Sequence, residues 1–220
     1  EKRREARRKA ENEYAEAVWR DPDGGLVIAG YTEAPGGRLD ALLMKVDAYG
    51  DLVWSGAYGG ESDEMAMSLA QIEDGTLVAA ALTYTFGAGG GDVWILWLDP
   101  GGGIARQRAY GMGGYEQVMA MVPVTGGLVV LAETRSLPDG NAHVLVFAID
   151  DAGDVIWQRT FAAGGYETPA DIVHLREGGF VVTGTLAHED SGDTDVLVLR
   201  LDHDGTLIWA MTHGGEAPDR

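Results

Sequence analysis

Four glutamates stand at nearly equal distances along this chain: Glu13, Glu64, Glu116 and Glu167. Each opens a run of residues that can form a strand. If those strands line one axis, four carboxylates converge on it. Such a ring suits a hard cation such as calcium, which takes six to eight oxygen ligands. The same residues also read as exposed turn carboxylates. A second recurring set is Asp40, Asp92, His143 and Asp195, each seven residues before one of the aspartates Asp47, Asp99, Asp150 and Asp202. A polar residue that opens an apolar strand is expected to bond backbone or the nearby threonines Thr32, Thr83, Thr134 and Thr185. The alternative is a ring of polar groups near one face. His188, Glu189, Asp190, Asp193 and Asp195 have the composition of a calcium loop without EF-hand spacing. The five histidines form no HExxH pair, and no serine sits in a Gly-x-Ser-x-Gly elbow. The glycine run from Gly87 to Gly91 lacks the Gly-Lys-Ser/Thr ending of a phosphate loop. Two carboxylates become an acid–base pair only through geometry, so none is assigned from sequence.

The elements that must position these residues are repeats. Asp47, Asp99, Asp150 and Asp202 are spaced 52, 51 and 52 apart, and so are Trp54, Arg106, Trp157 and Trp209. A period near 50 residues with several strands per unit is the signature of a propeller blade. Within each repeat the first strands are Glu13–Arg20, Glu64–Glu73, Glu116–Thr125 and Glu167–Arg176. EMAMSLAQ alone would pass for a helix, and only the repeat context argues against it. Two-glycine or Asp-Gly turns follow, then the second strands LVIAGYT, LVAAALT, LVVLAET and FVVTGTL. These are almost wholly apolar, which predicts burial on both faces by stacked neighbours. After a variable polar loop comes a third strand ending at the anchor aspartate, whose carboxylate accepts backbone N–H groups of the next turn. The fourth strands carry Trp54, Trp157 and Trp209, expected to pack between blades with each indole N–H finding one partner.

The prediction is therefore an all-β protein, a β-propeller of four four-stranded blades at about 13–60, 61–112, 113–164 and 165–215, within a propeller region spanning 13–220. The segment 1–12, EKRREARRKAEN, is almost entirely helix formers with Glu5 and Lys9 at i,i+4, predicting a short basic helix from about residue 2 to 14. Helix and strand readings compete over Glu13 to Val18. Four blades could close as a small ring, form half of an eight-bladed ring made by two chains, or belong to a longer propeller.

Composition narrows the partners. The 220-residue chain has a formal net charge of -19. Residues 1–10 hold 6 of the 16 basic and 2 of the 35 acidic residues, so the remainder carries 10 against 33, or -23. An acidic body repels phosphate backbones, which argues against nucleic acid. No apolar run approaches the roughly 20 residues that span a bilayer. There are no cysteines, so disulfides and thiolate metal sites are excluded while the compartment stays open.

The stretches AAALTYTFGAGGGDVWILWLD, VDAYGDLVWSGAYGG and LDHDGTLIWAMTHGG resemble bacterial and archaeal propeller repeats of secreted and cell-envelope proteins. The tryptophan after an Asp…Gly turn is also distantly similar to the docking motif of quinoprotein propellers. Arg106 departs from the pattern where tryptophan is expected, Met112 where glycine is, and His143 where aspartate is. The resemblance implies an extracellular or envelope location and a fold without one fixed activity. The leading expectation is a non-catalytic interaction module binding a protein or glycan through loops on one face. The rivals are a carbohydrate-active lyase or hydrolase with axial carboxylates, and a homo-oligomeric assembly element using the N-terminal helix.

Overall fold

The computed structural model describes residues 12–34, 36–188 and 191–215. Residues 1–11, which hold most of the helix expected from about residue 2 to 14, lie outside the described residues, as do Glu189 and Asp190 of the acidic loop; Glu13 and Tyr14 are strand. Each repeat folds as an antiparallel four-stranded meander. Blade 1 comprises β1 (Glu13–Arg20), β2 (Leu26–Glu33), β3 (Leu39–Val46) and β4 (Leu52–Tyr58). Blade 2 comprises β5 (Glu64–Gln71), β6 (Leu77–Thr83), β7 (Asp92–Leu98) and β8 (Ile104–Tyr110). Blade 3 comprises β9 (Glu116–Val124), β10 (Gly127–Thr134), β11 (His143–Asp150) and β12 (Val155–Phe161). Blade 4 comprises β13 (Tyr166–His174), β14 (Phe180–Ala187), β15 (Thr194–Leu201) and β16 (Leu207–His213). The protein is an all-β propeller built of four such blades. Glu13 to Val18 is strand, and EMAMSLAQ is strand as well, because both pair along their length with a second strand. Among the described residues no helix is long and apolar enough to cross a membrane.

The blades stack face to face, and the first strands follow one another along the inner edge. Three apolar layers fill the spaces between consecutive blades. Alternation along each strand divides its side chains between two layers. On β7, Trp94, Leu96 and Leu98 pack towards blade 1, while Val93, Ile95 and Trp97 pack towards blade 3. β7 is therefore buried at every position, and so is β10.

Burial on both faces does not extend to the terminal blades. On β14, Phe180, Val182 and Leu186 are buried against blade 3, whereas Thr183 and Thr185 on the opposite face are exposed. Every residue of β16 is exposed. Blade 1 mirrors this: Val27, Ala29, Ala41 and Leu43 are buried against blade 2, and the opposite face is only partly covered. Among the described residues blades 1 and 4 share no packing comparable to that between consecutive blades. The four blades thus form an open arc rather than a small closed ring.

Bulges recur at fixed places. Each first strand is bulged, between Ala15/Ala17, Ala66/Ser68, Leu131/Ala132 on the partner strand, and Pro169/Asp171. Each fourth strand has another just before the tryptophan position, which turns Val53, Ile156 and Ile208 outward and leaves them 55%, 61% and 56% exposed.

Candidate functional site

The recurring polar residues meet at the blade junctions. At each junction a polar residue at or next to the start of a third strand stands beside the glutamate at or next to the start of the next blade's first strand. Between blades 1 and 2, Glu64 is fully buried; it accepts Gly60 N–H at 2.8 Å and the Thr83 hydroxyl at 3.0 Å. A Cβ on Gly59 would collide with both the Asp40 and the Glu64 carboxylates, so only glycine lets the two approach. Between blades 2 and 3, Glu116 accepts Met112 N–H and the Thr134 hydroxyl, both at 2.8 Å, and the Ser136 hydroxyl. Asp92 accepts Ala88 and Gly89 N–H groups on one oxygen, while its Oδ1 is buried without a partner. Between blades 3 and 4, Glu167 pairs with His143 Nδ1 at 2.6 Å and accepts Ala163 N–H at 2.7 Å. His143 Nε2 reaches Asp139 at 3.0 Å.

Burial raises the Asp40 carboxyl, and neighbouring Glu64 adds to the shift. Burial likewise raises Asp92; the Gly89 and Ala88 N–H groups oppose it and Glu116 reinforces it. For His143 burial alone would lower the pKa, but hydrogen bonds to Asp139 and Glu167 together outweigh it and raise it.

The glutamates therefore do not converge on an axial site. Glu64, Glu116 and Glu167 each face donors at their own junction, and Glu13 is exposed on the first strand. Among the described residues no group of three His, Asp or Glu side chains stands where it could hold a metal ion. In the acidic loop His188 instead lies 3.0 Å from Asp195. The anchor aspartates close their turns: Asp47 accepts Tyr49 and Asp51 N–H, Asp99 accepts Gly101 and Gly103, Asp150 accepts Asp154, and Asp202 accepts Asp204 and Thr206.

The tryptophans act one blade further on. Trp54 lies over Gly102 of blade 2, where a Cβ would stand 2.6 Å from the ring, and Trp157 covers Gly205 of blade 4 in the same way. Both glycines have positive φ, +88 and +73, in the turn closed by the anchor aspartate. The Trp54 indole N–H is buried without the partner expected of it. Blade 2 solves the contact differently. Trp97, from the third strand, approaches Gly153, and Arg106 stacks 3.9 Å over Trp97 while donating to Asp151 O. The hydroxyls of Tyr58 and Tyr110 complete the contact by donating to Gly102 O and Gly153 O. Burial pushes the Tyr110 hydroxyl up to about 12. Trp209, at the same repeat position, is 44% exposed.

Sequence reasoning missed a strip on the end where the junction carboxylates lie. Tyr115 and Tyr166 precede Glu116 and Glu167, and Tyr84 and Arg135 follow Thr83 and Thr134. Tyr84 and Tyr115 ring centroids are 6.3 Å apart, and Arg135 lies 5.7 Å over Tyr115. Tyr84 and Tyr166 are 42% and 46% exposed. Burial pushes the Tyr115 hydroxyl up to about 12, with Tyr84 contributing; it donates to Gln117 at 2.7 Å. Beside the strip a shallow depression is lined by Arg38, Glu61, Ser62, Asp63, Met65 and Tyr84. A separate, mostly apolar cleft lies between blades 3 and 4, bordered by Phe161, Ala163, Glu167, Leu199 and Met211. Neither is lined by Asp40 or Asp92.

No protein-family model matches the sequence, and no curated protein does. Among solved structures, the acylaminoacyl peptidase of Pyrococcus horikoshii is similar at a TM-score of 0.49 and 10% identity, over 93% of this chain. The chain spans 33% of the length of that protein.

Proposed function

We propose that the protein is a non-catalytic interaction module that binds a protein or glycan through the loop end of its blades. The observation that carries this reading is the Tyr84–Tyr115–Tyr166 strip with Arg135 over it. Flat, amphipathic rings held in a shallow, rigid setting stack on sugar faces and act as anchors in protein contacts. The loops that carry them are tied down by Thr83, Thr134 and the junction glutamates, so little ordering is needed on binding. The enzyme reading draws on the raised carboxyl of Asp92, but that carboxyl is buried behind the 88–91 loop, and a general acid must reach its substrate.

Titration of the isotope-labelled protein with linear oligosaccharides of glucose, N-acetylglucosamine and uronic acids tests the glycan branch. Amide shifts should cluster around residues 84, 115, 135 and 166, and Tyr84→Ala with Tyr166→Ala should weaken binding at least about tenfold. New reducing ends or unsaturated products would replace this reading with the enzyme. Shifts centred on another face would remove the strip from the account.

A further inference from the structure

We propose that the open face of blade 4 receives blade 1 of a second copy of this chain, so that two copies close one ring of eight blades. This does not rest on the ligand strip, which lies elsewhere. A knob and a seat both stand uncovered among the described residues. Trp54 and Trp157 each cover the glycine of the following blade's turn, 48 residues ahead in sequence. Trp209 has the same position in its repeat but is 44% exposed, with no further blade among the described residues to cover. Gly50 is the matching glycine of blade 1, with φ +84 and nothing within 4 Å of a Cβ placed on it. One copy therefore carries the ring without the seat, and at its other end the seat without the ring.

The two sheet faces fit the same step. Blade 1 presents Leu26, Ile28, Leu42, Met44 and Val46 on its uncovered side. The corresponding residues of blade 3, including Leu128, Leu145, Phe147 and Ile149, are buried against blade 2. Blade 4 presents Val181, Val196 and Val198 with Thr183 and Thr185, where blade 3 uses Val129, Val144 and Val146.

The contact is heterologous within each interface, and a two-fold rotation forms it twice. A four-stranded face of seven-residue strands covers about 19 by 24 Å, so four such faces bury about 1,800 Å², within the range of stable assemblies. At a net charge of -19 per copy, screening should strengthen the dimer, since apolar burial drives it against charge repulsion.

Sedimentation equilibrium of the 220-residue chain should give twice the 23.4 kDa chain mass. Trp209→Arg on blade 4 and Leu26→Arg on blade 1 should each weaken association at least about tenfold. Both side chains are exposed in the single chain, and circular dichroism checks that the blades persist; Val196→Glu and Met44→Lys serve if either variant unfolds. Mixing the two variants should restore a weaker dimer, because one intact interface remains. A wild-type monomer, an open-ended range of sizes, a dimer indifferent to Trp209→Arg, or no recovery on mixing would each overturn the proposal.

Discussion

Blades 3 and 4 follow one sequence plan, yet they live in different surroundings. The strands β10 and β11 of blade 3 are buried almost throughout, between blades 2 and 4. Their counterparts β14 and β15 alternate between buried and open positions. The apolar run is necessary for burial on both faces, but the neighbour completes it. A tryptophan shows the same thing at the scale of one residue: Trp157 covers Gly205, while Trp209 is 44% exposed.

The largest test of this contrast is truncation on either side of it. Phe147→Ala, at the blade 2–3 layer, should cost about 3–5 kcal/mol, because the neighbouring blades hold the cavity open. Ile208→Ala, on the outward bulge of blade 4, should stay within about 0.5 kcal/mol, as its side chain is 56% exposed. Urea unfolding of both variants measures the difference, and equal losses would break the comparison. Next in size, Glu116→Ala should cost about 3 kcal/mol, since it strands the Met112 N–H and the Thr134 and Ser136 hydroxyls. A loss below the error of the unfolding curve would show that the junction carboxylate holds nothing.

The junctions also differ in charge. Asp92 faces Glu116, whereas His143 pairs with Glu167. Both Asp92 and His143 hold a proton more tightly in the folded chain, so stability falls as pH rises through each, but in separate windows. The Asp92 contribution is complete below its unfolded value near 3.8 and fades above it. The His143 contribution is complete below pH 6.5 and is lost as pH rises through its raised folded value. The wild type should show a decline in its urea midpoint above pH 6.5, and the His143→Asp variant should lose it. An unchanged slope would detach His143 from stability. Smallest is the glycine pair. Gly50→Ala should cost about 1 kcal/mol for its left-handed backbone alone, measured on dilute chain. Gly102→Ala should cost about twice that, because its Cβ meets Trp54. Equal costs would mean that the tryptophan gives way freely.

The period was readable because every fixed anchor keeps one spacing: the strands begin at Glu13, Glu64 and Glu116, and one residue early at Tyr166. The openness of the arc was not. Leu42 and Met44 have the residue types of a buried face, and nothing in the pattern says whether a blade stands against them. The glutamates read either as axial donors or as exposed turn carboxylates, because recurrence alone cannot separate these from buried local bonds, to threonine and backbone at Glu64 and Glu116 and to His143 and backbone at Glu167. Trp97 was hidden by the departure at Arg106: the ring had moved to the neighbouring strand, beyond the repeat position where it was sought. Tyr84, Tyr115 and Tyr166 were missed because no aromatic occupies either position in all four repeats; Asn12 and Asp63 precede the first two glutamates.

Hydrogen exchange of the Trp209→Arg chain, in which the proposed contact is removed, tests the open arc most directly. Amides of β6, β7, β10 and β11 should exchange slowest, and those of β1 and β16 fastest, with protection falling towards both ends. Equal protection of all four blades, including β1 and β13, would mean that blade 4 closes on blade 1 within one chain and would contradict the account.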